Sequence, residues 1–226
     1  VREVQLRTAL HGYETAVRLL REEPWPEGAL WRTALELYYA NQLATYSRRY
    51  SWEISRREKV ATKGELDLKL WTKDEIYAEA QAAFERVWRL RTALGSLPVA
   101  QFADFLEQND YPREIRSTLR DTVSYLRVEL LADRLQQELR RGVVVLSVLA
   151  LHNDLFRLDV ARLIHGDPAA SSTVKLDSPE VHPLLKIGAV LDDLESWHAS
   201  AGHAEAALEA RLERLRRLHA ALTNEH

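Results

Sequence analysis

Hydrophobic positions recur every three or four residues along most of this chain, the period of an α-helix with one buried stripe. The densest case is 31–54, where Trp31, Leu35, Tyr38, Tyr39, Leu43, Tyr46, Tyr50 and Ile54 share one broad face. No Gly or Pro interrupts the pattern after Gly28, so one long helix is predicted from Glu27 to Glu58. Seven aromatic side chains fall between Trp25 and Trp52, and Trp52 is expected to be buried among them.

The same period organises the rest. A first helix, Val4 to Glu22, carries Leu6, Leu10, Tyr13, Val17 and Leu20 on one face and ends at Pro24 and Pro26. In the following connector, the alternation Leu66, Leu68, Leu70 predicts an extended segment laid against the core. Thr72-Lys-Asp-Glu75 is a capping box opening a helix that runs through Ile76, Ala80, Phe84, Val87 and Leu90 to Leu94, with Gly95 just past its end. A short helix through Val99, Phe102, Phe105 and Leu106 follows Pro98. Tyr111-Pro112 then precedes a helix from Arg113 to Arg140 with Ile115, Leu119, Val123, Leu126 and Leu130 inward. Residues 143–151 are rich in β-branched side chains, which favour a strand, but their helical neighbours favour a buried helix, the preferred reading. Residues 154–165 read as helix and 169–182 as a polar loop. Two last helices form an αα-hairpin across Gly202. Leu184, Ile187, Leu191, Leu194 and His198 make the inward stripe of the first, and Leu208, Leu212, Leu215, His219 and Leu222 that of the second. The expected fold is all-α, about seven to nine stacked antiparallel helices in a solenoid-like α-α superhelix. Its expected division is a domain over 1–166, a linker over 167–182 and the hairpin over 183–226.

Composition narrows the chemistry. With 34 acidic and 31 basic residues the net charge is −3, which gives no general pull toward nucleic acid. Arg48, Arg49, Arg56, Arg57, Lys59 and Lys63 lie beside aromatics, a combination that binds single strands elsewhere. Here the stripe claims the aromatics, and a solvated helix end explains the cluster better. No apolar run is long enough to span a membrane. Cysteine is absent, which excludes disulfides and thiolate metal sites. Glu195-Ser-Trp-His198 has the Glu-x-x-His spacing of di-iron helices, but those need two such motifs and further carboxylates. Asp192 and Asp193 point about 100° apart on a helix, and Asp192 is expected to be solvated. No nucleophile elbow or Gly-rich phosphate loop is present. No catalytic residue, metal or cofactor is therefore expected. The alternatives are a structural or interaction module of a larger protein and an independent helical-repeat module that binds peptides or proteins. A chain that starts at Val1 and lacks methionine is expected to be a segment of a longer protein.

Three segments together resemble one family. They are LELYYANQLATYSRRYSWEISRRE (35–58), DLKLWTKDEIYAEA (67–80) and QNDYPREIRSTLRDTVSYLRVELLAD (108–133), and the tail 182–218 continues the likeness. They are similar to the N-terminal helical region of large bacterial alpha-2-macroglobulin-like proteins. In that family a Tyr-rich helix carries Trp and then Ile-x-x-Arg, matched by Tyr50 to Arg57. A Trp-Thr helix start is matched from Trp71, and a Tyr-Arg-Pro-Thr-Leu-x-Asp-like motif from Tyr111 through Arg120 to Asp121. Ser117 stands where the family often has Pro. The resemblance implies an ancillary module of an exported protease trap, secreted, periplasmic or attached to the outer membrane. Its partners would be the other domains of the parent and, through the parent, proteases. The family's thioester needs a cysteine, which this chain lacks. The candidate interaction or structural residues are Tyr46, Arg49, Tyr50, Trp52, Arg56, Arg57, Trp71, Tyr111, Arg120 and Asp121. Asp121 is expected to pair with Arg56 or Arg57.

Overall fold

The computed structural model of the chain describes residues 2–25, 27–57, 67–103, 110–112, 114–140 and 174–223. Among the described residues the fold is all-α, with nine α-helices, one 3-10 turn and no strand. Leu66, Phe105, Leu106 and the segments 143–151 and 154–165 lie outside the described residues, as do 169–173 of the expected loop; 174–182 is non-helical. The chain divides into two compact units, Val1–Ala93 with Ala100–Gln108, and Leu94–Val99 with Asn109–His226.

In the first unit, the single helix predicted from Val4 to Glu22 is two, α1 (Arg2–His11) and α2 (Tyr13–Glu22). Gly12 separates them at φ 87°, a left-handed conformation that ends an α-helix. Ala16, Val17 and Leu20 of α2 are buried, whereas Leu6 and Leu10 of α1 are exposed. The long aromatic helix also divides, into α3 (Ala29–Arg49) and the single turn α4 (Ser51–Ile54). Tyr50 at the joint has φ −106° and ψ 22°, off the helical values. Its N–H still reaches the Tyr46 carbonyl (3.0 Å) and its carbonyl still accepts from Ile54 (2.9 Å), so hydrogen bonding carries across. Leu37, Tyr38, Tyr39, Ala40, Leu43, Ala44 and Tyr46 are buried. Trp31, expected on that buried face, is exposed, with its ring edge-on to Phe102.

The connector enters the core differently from the extended alternation expected. Leu68 is buried and Leu70 exposed, because the Leu70 N–H donates to the Asp67 carbonyl and turns the chain. The Thr72 capping box is present in full and opens α5 (Lys73–Trp88). α5 stops before Leu90, which is exposed, and one further turn, α6 (Arg91–Leu94), follows. Arg86 pairs with Glu36, tying α5 to α3, and Arg21 of α2 donates to both Tyr39 and Glu79.

In the second unit, α7 (Leu119–Arg140) starts six residues later than the sequence suggests. Arg116 sits at φ 57°, which a right-handed helix does not admit. Val99 and Leu119 then exchange backbone hydrogen bonds with Ser117 and Leu97 at 2.8 and 2.9 Å, stapling 97–99 to the start of α7. Gly95 lies so close to the Trp197 indole that a Cβ would stand 2.4 Å from its Cζ2.

The hairpin is α8 (Pro183–Ser200) and α9 (Ala204–Thr223). His182 Nδ1 caps the Leu184 N–H at 3.1 Å, with Pro183 in the first turn. The α8 stripe is buried as read from sequence: Leu184, Ile187, Leu191, Leu194 and His198. α9 is rotated from expectation. It buries Ala206, Glu209, Ala210, Glu213, Arg214 and Leu218, while Leu208 (55% exposed), Leu212 (38%) and His219 face outward. The reason lies opposite, where α7 and α8 present Glu129, Asp192 and Glu195 to the arginines of α9.

Candidate functional site

The aromatic centre of the first unit is a tyrosine triad. Tyr46 and Tyr50 lie 5.1 Å apart by ring centroid, and Tyr13 lies 6.3 and 6.2 Å from them. Tyr46 donates to Glu14 (3.2 Å) and accepts from Arg57 (3.1 Å). Burial pushes the Tyr46 phenol up to about 12, against the opposing pull of the Arg57 hydrogen bond. Arg49 is exposed and reaches the Tyr13 ring and hydroxyl. Arg57 is a clamp. Its guanidinium donates to the carbonyls of Leu68 (2.6 Å) and Trp71 (3.3 Å), to Tyr46 and to Glu53 (2.6 Å). It thereby joins α4 to the residues just ahead of α5, with half-buried Trp71 contributing its carbonyl.

Trp52 overturns its expected burial. It is 70% exposed, with the Arg56 guanidinium 3.7 Å over its ring. At that distance the pair is a cation–π stack presented to solvent. Of the ten candidate residues, these two form the exposed aromatic–cation pair.

The second unit gathers the remaining candidates around the start of α7. Asp121, 1% exposed, accepts at Oδ2 from the Thr118 N–H (2.9 Å) and hydroxyl (2.7 Å), while the Thr118 hydroxyl accepts from the Asp121 N–H (3.3 Å). This is a reciprocal cap with Asp in place of the usual Glu. Its Oδ1 lies 2.7 Å from His198 Nε2. The expected pairing of Asp121 with Arg56 or Arg57 is therefore incorrect: Thr118 and His198 hold the carboxylate, and Arg57 has the partners given above. Arg120, also buried, donates to Asp193 (2.7 Å) and lies over the Trp197 ring. Tyr111 is exposed and stacks with Arg116, whose guanidinium also lies 3.7 Å from the Tyr125 ring centroid and donates to Glu209 at 2.8 Å.

Asp192, expected to be solvated, is 5% exposed and pairs with Arg214 at 2.9 Å. Glu195 pairs with Arg211 and Arg214. The Glu195 and His198 of the Glu-x-x-His spacing thus turn to different partners. Among the described residues no three His, Cys, Asp or Glu side chains form a metal-ligand group. Sequence reasoning missed Arg116, Tyr125 and Glu209, and it weighed His198 only for a Glu-x-x-His metal site. The local signals were Thr118-x-x-Asp121, readable as a cap, and the five-residue spacing of His198 and His203; the others meet only in three dimensions.

Comparison with protein-family models, curated proteins and solved structures finds no match.

Proposed function

We propose that this chain is a non-catalytic helical interaction module of an exported bacterial alpha-2-macroglobulin-like protein, docking on another domain of the parent through the end of α3 and α4. The exposed Trp52–Arg56 stack carries this reading. Trp and Arg are the residue types most often dominant at protein–protein contacts, since they offer large area with a polar handle. Four further candidates have other tasks: Tyr46, Arg57, Arg120 and Asp121 are each held by partners inside their own unit. Such side chains fix helices in place. The parent and its export rest on the three motif segments and the tail that resemble the family. No described helix is long and apolar enough to cross a membrane.

Binding to the flanking domains of the parent reading frame, measured by calorimetry, tests the proposal. Trp52→Ala and Arg56→Ala should each weaken binding at least about tenfold, as for an interface hot spot, while leaving the circular dichroism spectrum unchanged. Unchanged affinity in both variants would remove this surface. As an ancillary module, one molar equivalent of the chain should leave a protease fully active on a large protein substrate. Loss of that activity with a small peptide still cleaved is the signature of trapping, and would show the module to be the trap itself.

A further inference from the structure

The turn between α8 and α9 brings two imidazoles together. Gly202 adopts φ 77°, its N–H donates to the Ala199 carbonyl (3.2 Å), and the His203 N–H returns to the His198 carbonyl (2.9 Å). This is a Schellman motif, and it needs a residue tolerant of the left-handed conformation at its centre. Its consequence is positional: His203, on the outside of the turn, has its Nδ1 3.4 Å from the Nδ1 of His198. The acceptor here is a nitrogen, and at 3.4 Å the contact stands at the long end of a hydrogen bond between two rings. Two imidazole nitrogens, each about 2.0–2.1 Å from one tetrahedral Zn²⁺, stand roughly 3.3–3.4 Å apart.

The far side of His198 is arranged in the same sense. Its Nε2 meets the Asp121 carboxylate at 2.7 Å, and both side chains are only 1% exposed. A carboxylate there fixes the proton on Nε2 and leaves the Nδ1 lone pair directed at His203. A carboxylate behind a ligating histidine is the usual outer partner of protein-bound zinc, because it sets the tautomer and raises the basicity of the ring. His203 is exposed, so its ring has room to turn and solvent can reach it. The neighbouring cation, Arg120, is paired with Asp193 and covered by the Trp197 ring, which also lies against both histidines.

We infer that His198 Nδ1 and His203 Nδ1 form a two-histidine site for a divalent transition-metal ion such as Zn²⁺, with water completing the coordination and Asp121 orienting His198. The Glu-x-x-His count does not find this site, because its second ligand comes from the turn and not from the helix. The site belongs to the second unit and does not depend on the docking proposed for Trp52.

Zinc titration of the full chain at pH 7.5, followed by calorimetry and by long-range proton–nitrogen correlation spectra of the histidines, is the test. A binding event is expected that His203→Ala abolishes and His219→Ala leaves unchanged. Asp121→Asn should weaken it about 10- to 100-fold, the usual effect of removing an outer-shell partner. The two Nδ1 resonances should move on adding zinc while the His198 Nε2 remains protonated. His203 is exposed on the turn, so its replacement keeps the fold and carries the test by itself. No zinc binding, equal binding by His203→Ala, or spectra in which neither Nδ1 moves would each show that the pair is a hydrogen bond and nothing more.

Discussion

Replacing Asp121 by Ala removes a carboxylate that three donors share, the Thr118 N–H, the Thr118 hydroxyl and His198 Nε2. Each hydrogen bond to a charged acceptor is worth about 1.5–3 kcal/mol, and loss of a helix cap about 1 kcal/mol. The contributions cannot be summed, because one carboxylate makes all of them and its removal relaxes them together. With both Asp121 and His198 only 1% exposed, water cannot take its place without rearrangement. The loss should therefore be at least that of leaving a buried donor unsatisfied, about 1–3 kcal/mol. Asp121→Asn keeps the shape and one acceptor oxygen, and His198 can change tautomer to accept from the new amide. It should cost about 1–2 kcal/mol. Urea unfolding followed at 222 nm measures both, as a lower midpoint at unchanged slope. A loss under about 1 kcal/mol for Asp121→Ala would refute the assignment of this carboxylate as the joint between α7 and the hairpin.

Trp52→Ala should cost less than about 1 kcal/mol in the same assay, against the roughly 3–5 kcal/mol of a buried Trp. A large loss would mean the ring is covered in solution. Gly95→Ala forces a methyl to 2.4 Å from the Trp197 ring and should destabilise by about 1–3 kcal/mol, with a shift in tryptophan emission; an unaltered midpoint and spectrum would contradict the contact. Burial raises the phenols of Tyr39 and Tyr46 to about 12, so unfolded chains lose these protons before folded ones. Stability should thus be unaffected by these groups below pH 10 and fall as pH rises from about 10 to 12. Absorbance at 295 nm should show a late-ionising fraction that shrinks in Tyr46→Phe, whereas all tyrosines ionising near 10 would exclude the burial.

Much of the local structure was written in short stretches of sequence. The Thr72–Glu75 box sets where α5 starts, because its partners lie three residues apart on one turn. The α8 stripe and Gly202 likewise define a helix and its end, since their period and left-handed turn are local properties. The exposure of Trp52 was also within reach: two residues beyond Tyr50 is about 200° around a helix, which puts it across from the tyrosine stripe. What no local pattern contains is the orientation of α9. Its Leu208, Leu212 and Leu215 spacing is a good apolar stripe, and its Glu and Arg residues resemble a solvated face. Asp192 and Glu195 arrive from α8 to pair with buried Arg214, and Glu129 from α7 meets half-buried Arg217, so the charges on this face are paired where an unpaired buried charge would be far more costly. The Asp121–His198 contact has the same origin, whereas His203 is brought to His198 by the local turn. Asp121 stands 77 residues from His198, and their meeting depends on how α7 lies against α8, which is decided by packing.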